Sequence, residues 1–406
     1  MVLKIKFRAL LTLAGDSIEN GELTIDDGRV VAISTSSTGG VDVLDLSDCL
    51  LMPGFVNAHC HLSLTALKKK LTPAVPFIDL LQTLIPLNAN LDDSRRLEGI
   101  HAGADQMKRS GVTALGDYIA DPELLGVIGG LGFRSVLFLE TLGFNSAGAQ
   151  SLCNKVEAVL QETPPSSLSR WGLAPHAPYS VSPDLFRCLR QLAQKYQCPL
   201  SCHVAEIQEE VAFLNEGNHE LQELLKERSV WDAQWQTPRK TPVQYLNSLD
   251  ALNSLIAIHC NFVSADLGLM AEKKVSAVFC PQSTSWFGRN EFMPVREMLD
   301  LGITVALGTD SLASNDSLNF LEELRAADKL LPDVSRSEIL NMATRLGGEA
   351  LGLQSGHLAC GQNADLIGFR VSPSYSGSWW DVPFEPDRRE VDFYMVDGKP
   401  DALSSC

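Results

Sequence analysis

Two histidines one residue apart, His59 and His61, close an apolar run that passes through the turn Pro53-Gly54. Side chains alternate faces along an extended chain, so these two imidazoles point one way and Cys60 the other. Two imidazoles side by side at a strand end make half of a divalent-metal site. Taken alone, His-x-His is as readily a pair of surface or core histidines, and the rest of the chain has to decide. Of eight histidines, five (His59, His61, His176, His203 and His259) end short apolar runs, and the run Ala306-Leu307-Gly308-Thr309 stops at Asp310. Three histidines and one aspartate suit zinc or ferrous iron and leave one position for water, the arrangement of a catalytic metal. Glu206 follows His203 by three residues, where the strand passes into the next helix. A carboxylate there either shuttles a proton between water and a substrate atom or merely complements a helix N-terminus. His101, His219 and His357 fall outside these runs and read as structural.

The elements that must position these groups are legible as a pattern. From Pro53 to about Leu351, short apolar runs alternate with longer helical stretches, the signature of repeated βα units around a parallel sheet. Eight candidate strands, 55–61, 112–117, 134–140, 171–176, 199–203, 255–259, 276–280 and 303–310, predict a (β/α)₈ TIM barrel. In such a barrel the carboxyl ends of the strands converge on one mouth, which is where all five histidines and Asp310 would stand. Helices are expected at 94–109, 183–196, 206–215 and 319–330. The segment 216–245, with Trp231 and Trp235, is too long for a plain loop and reads as a lid or an oligomer contact.

Residues 1–50 alternate apolar and polar, with Asp27-Gly28 as a hairpin turn, a loop at 34–40 and a strand at 41–46. Strand patterns return at 356–358, 364–369 and 391–396 before the turn Asp397-Gly398. The α/β chain thus divides into residues 1–53, the first part of a small β-sandwich; residues 54–351, the barrel; and residues 352–406, the second part.

Bulk properties exclude several classes. A net charge of −17 over 406 residues argues against nucleic acid, whose binding rests on Lys and Arg neutralising phosphates. The N-terminus interleaves basic and apolar residues, and no window holds the ~18 apolar residues of a membrane span. Ten scattered cysteines without a CxxC read as buried thiols of a cytoplasmic protein.

PGFVNAHCH, HVAE, IHC and LGTDS, in that order and at barrel-strand spacing, resemble the amidohydrolase superfamily, and within it the mononuclear-metal deaminase and chlorohydrolase branch. The terminal GHLACGQNADLIGF resembles the ending of that group. The resemblance implies one divalent metal, Zn²⁺ or Fe²⁺, on His59, His61, His203 and Asp310. It implies catalytic roles for Glu206, His259 and Asp310, and no lysine is placed to bridge a second metal. It further implies a hydrolytic deaminase of a small aminopurine-type substrate. APHAPY around His176 is similar to deaminases of methylthioadenosine, S-adenosylhomocysteine and adenosine. The stretches at Phe138–Gly143 and Ser314–Arg325 are closer to aminofutalosine deaminases of menaquinone biosynthesis. Expected substrate contacts are His176, Glu140, Phe77, Ser311 and Asn315, with Trp286 and Phe287 as further stacking rings. Two departures stand near the pocket: Thr284 where the group shows asparagine, and Ser311 where many members have glycine. The alternatives are a guanine- or triazine-type aminohydrolase or chlorohydrolase, and a catalytically silent barrel acting as a binding protein. Analogy with the architecture carries an expectation of a homo-oligomer.

Overall fold

The computed structural model describes residues 2–15, 17–35, 43–217 and 219–401, with the His219 side chain outside the described set. The expected loop at 34–40, the first residues of the expected strand at 41–46, and Cys406 fall largely or wholly outside it as well.

Strands β1 (Leu3–Leu10), β2 (Ile18–Asp26), β3 (Arg29–Ser34) and β4 (Val43–Pro53) come from the N-terminal part. Alternation buries one face of β1, and Asp27 and Gly28, both at positive φ, make the two-residue turn that joins β2 to β3. The barrel strands follow: β5 (Phe55–Cys60), β6 (Val112–Ile119), β7 (Arg134–Thr141), β8 (Ser169–Pro175), β9 (Ser201–Val204), β10 (Ile256–His259), β11 (Ser276–Phe279) and β12 (Thr304–Leu307). The C-terminal part returns as β13 (Leu366–Arg370), β14 (Phe393–Val396) and β15 (Lys399–Pro400). It joins the N-terminal strands in one seven-stranded sheet of order β15-β14-β13-β4-β1-β2-β3. The stretch 356–358 is not a strand; Leu358 instead gives its N–H to Thr12 O.

Two parallel four-stranded arcs, β5 to β8 and β9 to β12, make the barrel wall. Isolated bridges join them, Leu173 with Leu200 on one side and Cys60 with Asp310 on the other. The second seam is tight. Thr309 and Asp310 both donate N–H to His59 O at 3.0 Å, and a side chain at Gly308 would collide with His59. Inside, Val56, Ala58, Ala114, Val136, Phe138, Ile258, Val278 and Ala306 pack as a filled core, while the outer faces of the strands pack against the helices.

Two cysteines correct the expectation of free thiols. Cys153 on helix Ala149–Glu162 and Cys188 on helix Pro183–Tyr196 are disulfide-bonded, with Cα atoms 6.3 Å apart. The pairing joins helices of successive βα units 35 residues apart, a proximity that only the folded barrel creates. Cys49, Cys60, Cys202, Cys260 and Cys280 are buried free thiols. Among the described residues no helix is long and apolar enough to cross a membrane.

Barrel and terminal sheet are pinned together by Asp365. Its carboxylate accepts both forks of Arg134 from β7, at 2.7 and 3.1 Å, together with Ser355 Oγ and Asp397 N–H; its carbonyl takes Gly54 N–H. With Asp365 wholly buried, Asp365→Ala leaves an uncompensated guanidinium and is expected to cost about 3–5 kcal/mol. Chemical or thermal melts check this, and Asp365→Asn, which keeps one acceptor oxygen for Arg134, should lose less.

Candidate active site

β5 carries a bulge at the point where its alternation would otherwise turn His59 away. Asn57 pairs with Leu115 but Cys60 with Asp117, so β5 holds one residue more than β6 over that span. The extra residue lets Ala58 stay in the barrel core while His59 and His61 both face the axis. The Asn57 amide locks the bulge by donating to Thr309 Oγ1 (2.8 Å) and accepting Thr309 N–H (3.0 Å). Asp117 brackets His61 from outside, taking Leu62 N–H at 2.8 Å and the Cys60 thiol at 3.3 Å. Burial pushes the Asp117 carboxyl up to about 7.

His203 closes the group from β9. Its Nδ1 lies 2.9 Å from His176 O and donates to it, which fixes the tautomer and leaves Nε2 as a lone-pair donor. His59 and His203 ring centroids are 5.0 Å apart, those of His61 and His203 5.7 Å, and those of His59 and His259 5.7 Å. Asp310 enters from the end of β12 in a left-handed turn (φ 59°). Its Oδ1 accepts Ser311 N–H and its Oδ2 accepts the hydroxyls of Ser283 and Ser314, at 2.8 to 2.9 Å. Burial alone would raise the Asp310 carboxyl; the His59, His259 and His61 imidazoles hold it well below the usual range. Burial depresses the imidazoles in turn, His59 far below its ordinary value and His176 and His259 to about 4, so all three are neutral at pH 7.

These groups fit a divalent cation. Ligand atoms of His59, His61 and Asp310 lie within 4.8 Å of one another, and the same holds for His59, His203 and His259, and for His61, Glu140 and His203. Both ring nitrogens of His59 are buried with no hydrogen-bond partner, Asp310 Oδ1 being 3.6 Å from Nε2. Burying two polar atoms without partners is costly unless a cation takes the lone pair.

Glu206 stands just before helix Gln208–Asn215 and is not a first-turn residue; Glu209 and Glu210 hold those places. A left-handed Ala205 (φ 49°) brings Glu206 back over the barrel mouth, and the Glu210 carboxylate secures the turn by accepting Ala205 N–H at 2.9 Å. Glu206 Oε2 lies 3.8 Å from His259 Nε2, and Oε1 accepts Arg289 Nη2 at 3.0 Å. Burial would raise the Glu206 carboxyl, but His259, Arg289 and His203 hold it below its ordinary value.

A cavity of about 550 Å³ opens over these groups, with His61, Glu140, His176, His203, Glu206, His259 and Asp310 on its floor. Phe77 and Ser311 line it, and so does Phe287. His176 Nδ1 pairs with Ser180 Oγ at 2.7 Å, and Glu140 Oε1 is buried without a hydrogen-bond partner. Asn315 is not in the cavity. Its amide donates to Thr309 O and its Oδ1 accepts Ser317 N–H, so it braces the loop after β12. Trp286 is likewise turned away, packing with Leu67, Leu71 and Leu80. His101 is exposed, and His357 lies in a separate surface depression.

The upper walls are apolar. Phe77, Leu80, Leu81, Leu84 and Ile85 form one face of helix Phe77–Ala89, opposed by Leu224, Leu225 and Val230 from the segment expected to be a lid or an oligomer contact. Arg228 stands among the latter, with no ion pair among the described residues. Sequence reading missed Arg228 and Arg289 because neither lies in a periodic pattern or at a strand end.

Residues 50–400 match the model described as "Amidohydrolase family". A 5-methylthioadenosine/S-adenosylhomocysteine deaminase of Pyrococcus furiosus is 33% identical over 373 residues, 86% of this chain and 82% of that protein. A 5′-deoxyadenosine deaminase of Methanothermobacter thermautotrophicus is 28% identical over 413 residues, 95% of this chain and 90% of its own. Among solved structures, Helicobacter pylori aminofutalosine deaminase in complex with methylthio-coformycin superposes with a TM-score of 0.87 at 22% identity, covering 98% of this chain and 100% of that one.

Ser283 and Ser314 orient the Asp310 carboxylate, so Ser283→Ala is expected to weaken divalent-cation affinity by about 10–100-fold. Titration of metal-stripped protein with Zn²⁺ reads this directly. His59→Ala should not retain the ion through gel filtration.

Proposed function

The chain belongs to the amidohydrolase family, and on that premise we propose that it is a hydrolytic deaminase of a 6-aminopurine nucleoside, using one divalent cation on His59, His61, His203 and Asp310. The observation that carries the reading is the approach of Glu206 Oε2 to His259 Nε2 beside that ligand group, at the floor of a nucleoside-sized cavity. Nitrogen-rich ligation suits zinc, which a solved adenosine deaminase of the same fold, from Xanthomonas campestris, holds.

A divalent cation held by His59, His61, His203 and Asp310 would lower the pKa of water enough to supply hydroxide at neutral pH. The chain's own groups then move protons. Glu206, resting as a carboxylate, takes one proton from the attacking water and delivers it through Oε2 to the ring nitrogen next to the amine-bearing carbon. Neutral His259 accepts a hydrogen bond at Nε2 and orients the oxygen that attacks. Asp310 takes the remaining water proton and passes it to the exocyclic amine, which leaves as ammonia. His176 and Glu140 face the purine and ribose from β8 and β7, and Phe77 and Phe287 supply ring faces.

Aminofutalosine is the preferred substrate. Its 5′ arm ends in an aromatic carboxylate, and the apolar walls leading to Arg228, which has no ion pair among the described residues, suit such an arm. Methylthioadenosine or S-adenosylhomocysteine is the second reading, favoured by the name of the 33%-identical relative. Ammonia release across a panel of adenosine, 5′-deoxyadenosine, methylthioadenosine, S-adenosylhomocysteine and aminofutalosine separates them. Glu206→Gln should lower kcat by about 10²–10⁴-fold while the protein keeps its metal. Arg228→Ala should raise KM about tenfold for nucleosides with an anionic 5′ arm and leave 5′-deoxyadenosine unchanged. No turnover of any aminopurine nucleoside by metal-loaded protein would overturn the proposal.

A further inference from the structure

Arg289 has no place in the machinery above, yet it is hydrogen-bonded to the Glu206 carboxylate itself: Nη2 to Oε1 at 3.0 Å. Both side chains are about nine-tenths buried, at 11% and 9% accessibility, so the pair is poorly screened by solvent. The guanidinium carbon lies 4.1 Å over the Phe287 ring, and Nη1 is buried without a hydrogen-bond partner. A cation held so far from water, with one nitrogen unsatisfied, does not repay its burial as a structural element alone.

The backbone around Arg289 is fixed as firmly as its side chain. Helix Pro281–Trp286 ends with Gly288 in the left-handed conformation (φ 65°); Gly288 N–H returns to Ser285 O and Arg289 N–H to Thr284 O. That pair of bonds is a Schellman motif, which sets the direction of the chain as it leaves the helix. The first turn of the same helix carries Ser283, which grips Asp310, and Glu323 of helix Phe320–Leu330 accepts the Gln282 N–H. One short helix therefore grips one carboxylate with its first turn and a second with the residue three beyond its last.

We propose that Arg289 is a positioning residue for Glu206: by occupying Oε1 it commits Oε2 to the reacting atoms. The mechanism needs one oxygen that receives a proton from water and delivers it to a ring nitrogen. A carboxylate free to rotate divides its time between orientations and meets the proton donor in only some of them. Arg289 does not line the cavity, whereas Phe287 and Glu206 do, so its effect on substrate passes through Glu206. The inference rests on the deaminase reading.

The test is a double-mutant cycle on the metal-loaded full chain. Arg289→Met, chosen to keep the volume, should lower kcat by about 30-fold or more with KM changed less than about threefold, as for an interaction expressed in the transition state. In the Glu206→Gln background the same replacement should add less than about threefold. Guanidinium chloride at low millimolar concentration should restore part of the activity of Arg289→Ala but none of Glu206→Gln, and Arg289→Lys should fall between parent and Met variant. Equal losses in both backgrounds mean a structural role and overturn the proposal. So does a loss confined to KM for substrates with an anionic arm, which makes Arg289 a substrate contact. A slow Glu206→Gln with a fast Arg289→Met overturns this inference alone. A Glu206→Gln protein as fast as its parent overturns the deaminase reading with it. If the Met variant does not fold, the Lys variant and the guanidinium rescue decide.

Discussion

A largely buried carboxylate at the floor of the cavity, Asp310, is the constraint to which the rest of the molecule answers. Burying its charge is costly unless donors replace the lost hydration, and three do: Ser311 N–H and the hydroxyls of Ser283 and Ser314. The same residue closes the barrel, since its N–H and that of Thr309 converge on His59 O across the β5–β12 seam. The candidate metal site and barrel closure thus share one backbone contact. His259, Asp310 and Ala205 all adopt left-handed backbone conformations, each costing on the order of 1–3 kcal/mol for a residue with a side chain. A closed barrel can hold such turns because neighbouring strands fix both ends of each one.

A second layer stands behind the mouth. Helix Pro281–Trp286 links Asp310, Glu206 and Glu323 through Ser283, Arg289 and Gln282. Its six residues are too few to be stable alone, so its position derives from those contacts and from the packing of helix Phe320–Leu330 against it. Of the two departures, Ser311 lines the cavity beside Asp310, while Thr284 falls within this layer, buried next to Ser283. A change there acts on the carboxylates before it acts on any substrate.

Much of this was legible in the sequence because it is periodic. Short apolar runs ending in histidine identify the barrel strands and the end of the barrel where they open, and Asp27-Gly28 identifies its hairpin turn. What remained hidden is non-periodic or depends on closure. The bulge at Ala58–His59 changes the parity of β5, and only its pairing with β6 reveals it. The pairing of Cys153 with Cys188 depends on two outer helices lying side by side. Asn315 sits in a stretch whose wording resembles a substrate loop, yet its amide is spent on Thr309 and Ser317. Arg228 follows the last turn of helix His219–Glu227 and Arg289 a short helix and a glycine, and nothing in spacing separates them from solvated surface charges.

On the deaminase reading, discrimination among substrates falls to the other half of the cavity, away from the chemistry. Helix Phe77–Ala89 is apolar along positions 77, 80, 81, 84 and 85, the repeat of a face that normally seals against a core, yet Leu80 is its only buried residue. The face fronts the cavity instead. Its apolar area leaves water only when a ligand covers it, at roughly 25 cal/mol per Å². A nucleoside with a short 5′ substituent leaves most of that area wet, whereas a long apolar arm covers it and can bring an anion to Arg228. On the deaminase reading, the floor groups meet every 6-aminopurine alike, so differences in kcat/KM between such nucleosides should arise mainly at the walls. A wall contact that forms equally in ground and transition states changes KM and leaves kcat alone. Selectivity and rate are then set by different residues, the first by the apolar walls of helix Phe77–Ala89 and segment 216–245 and the second by groups such as Ser283 and Arg289 that hold the carboxylates.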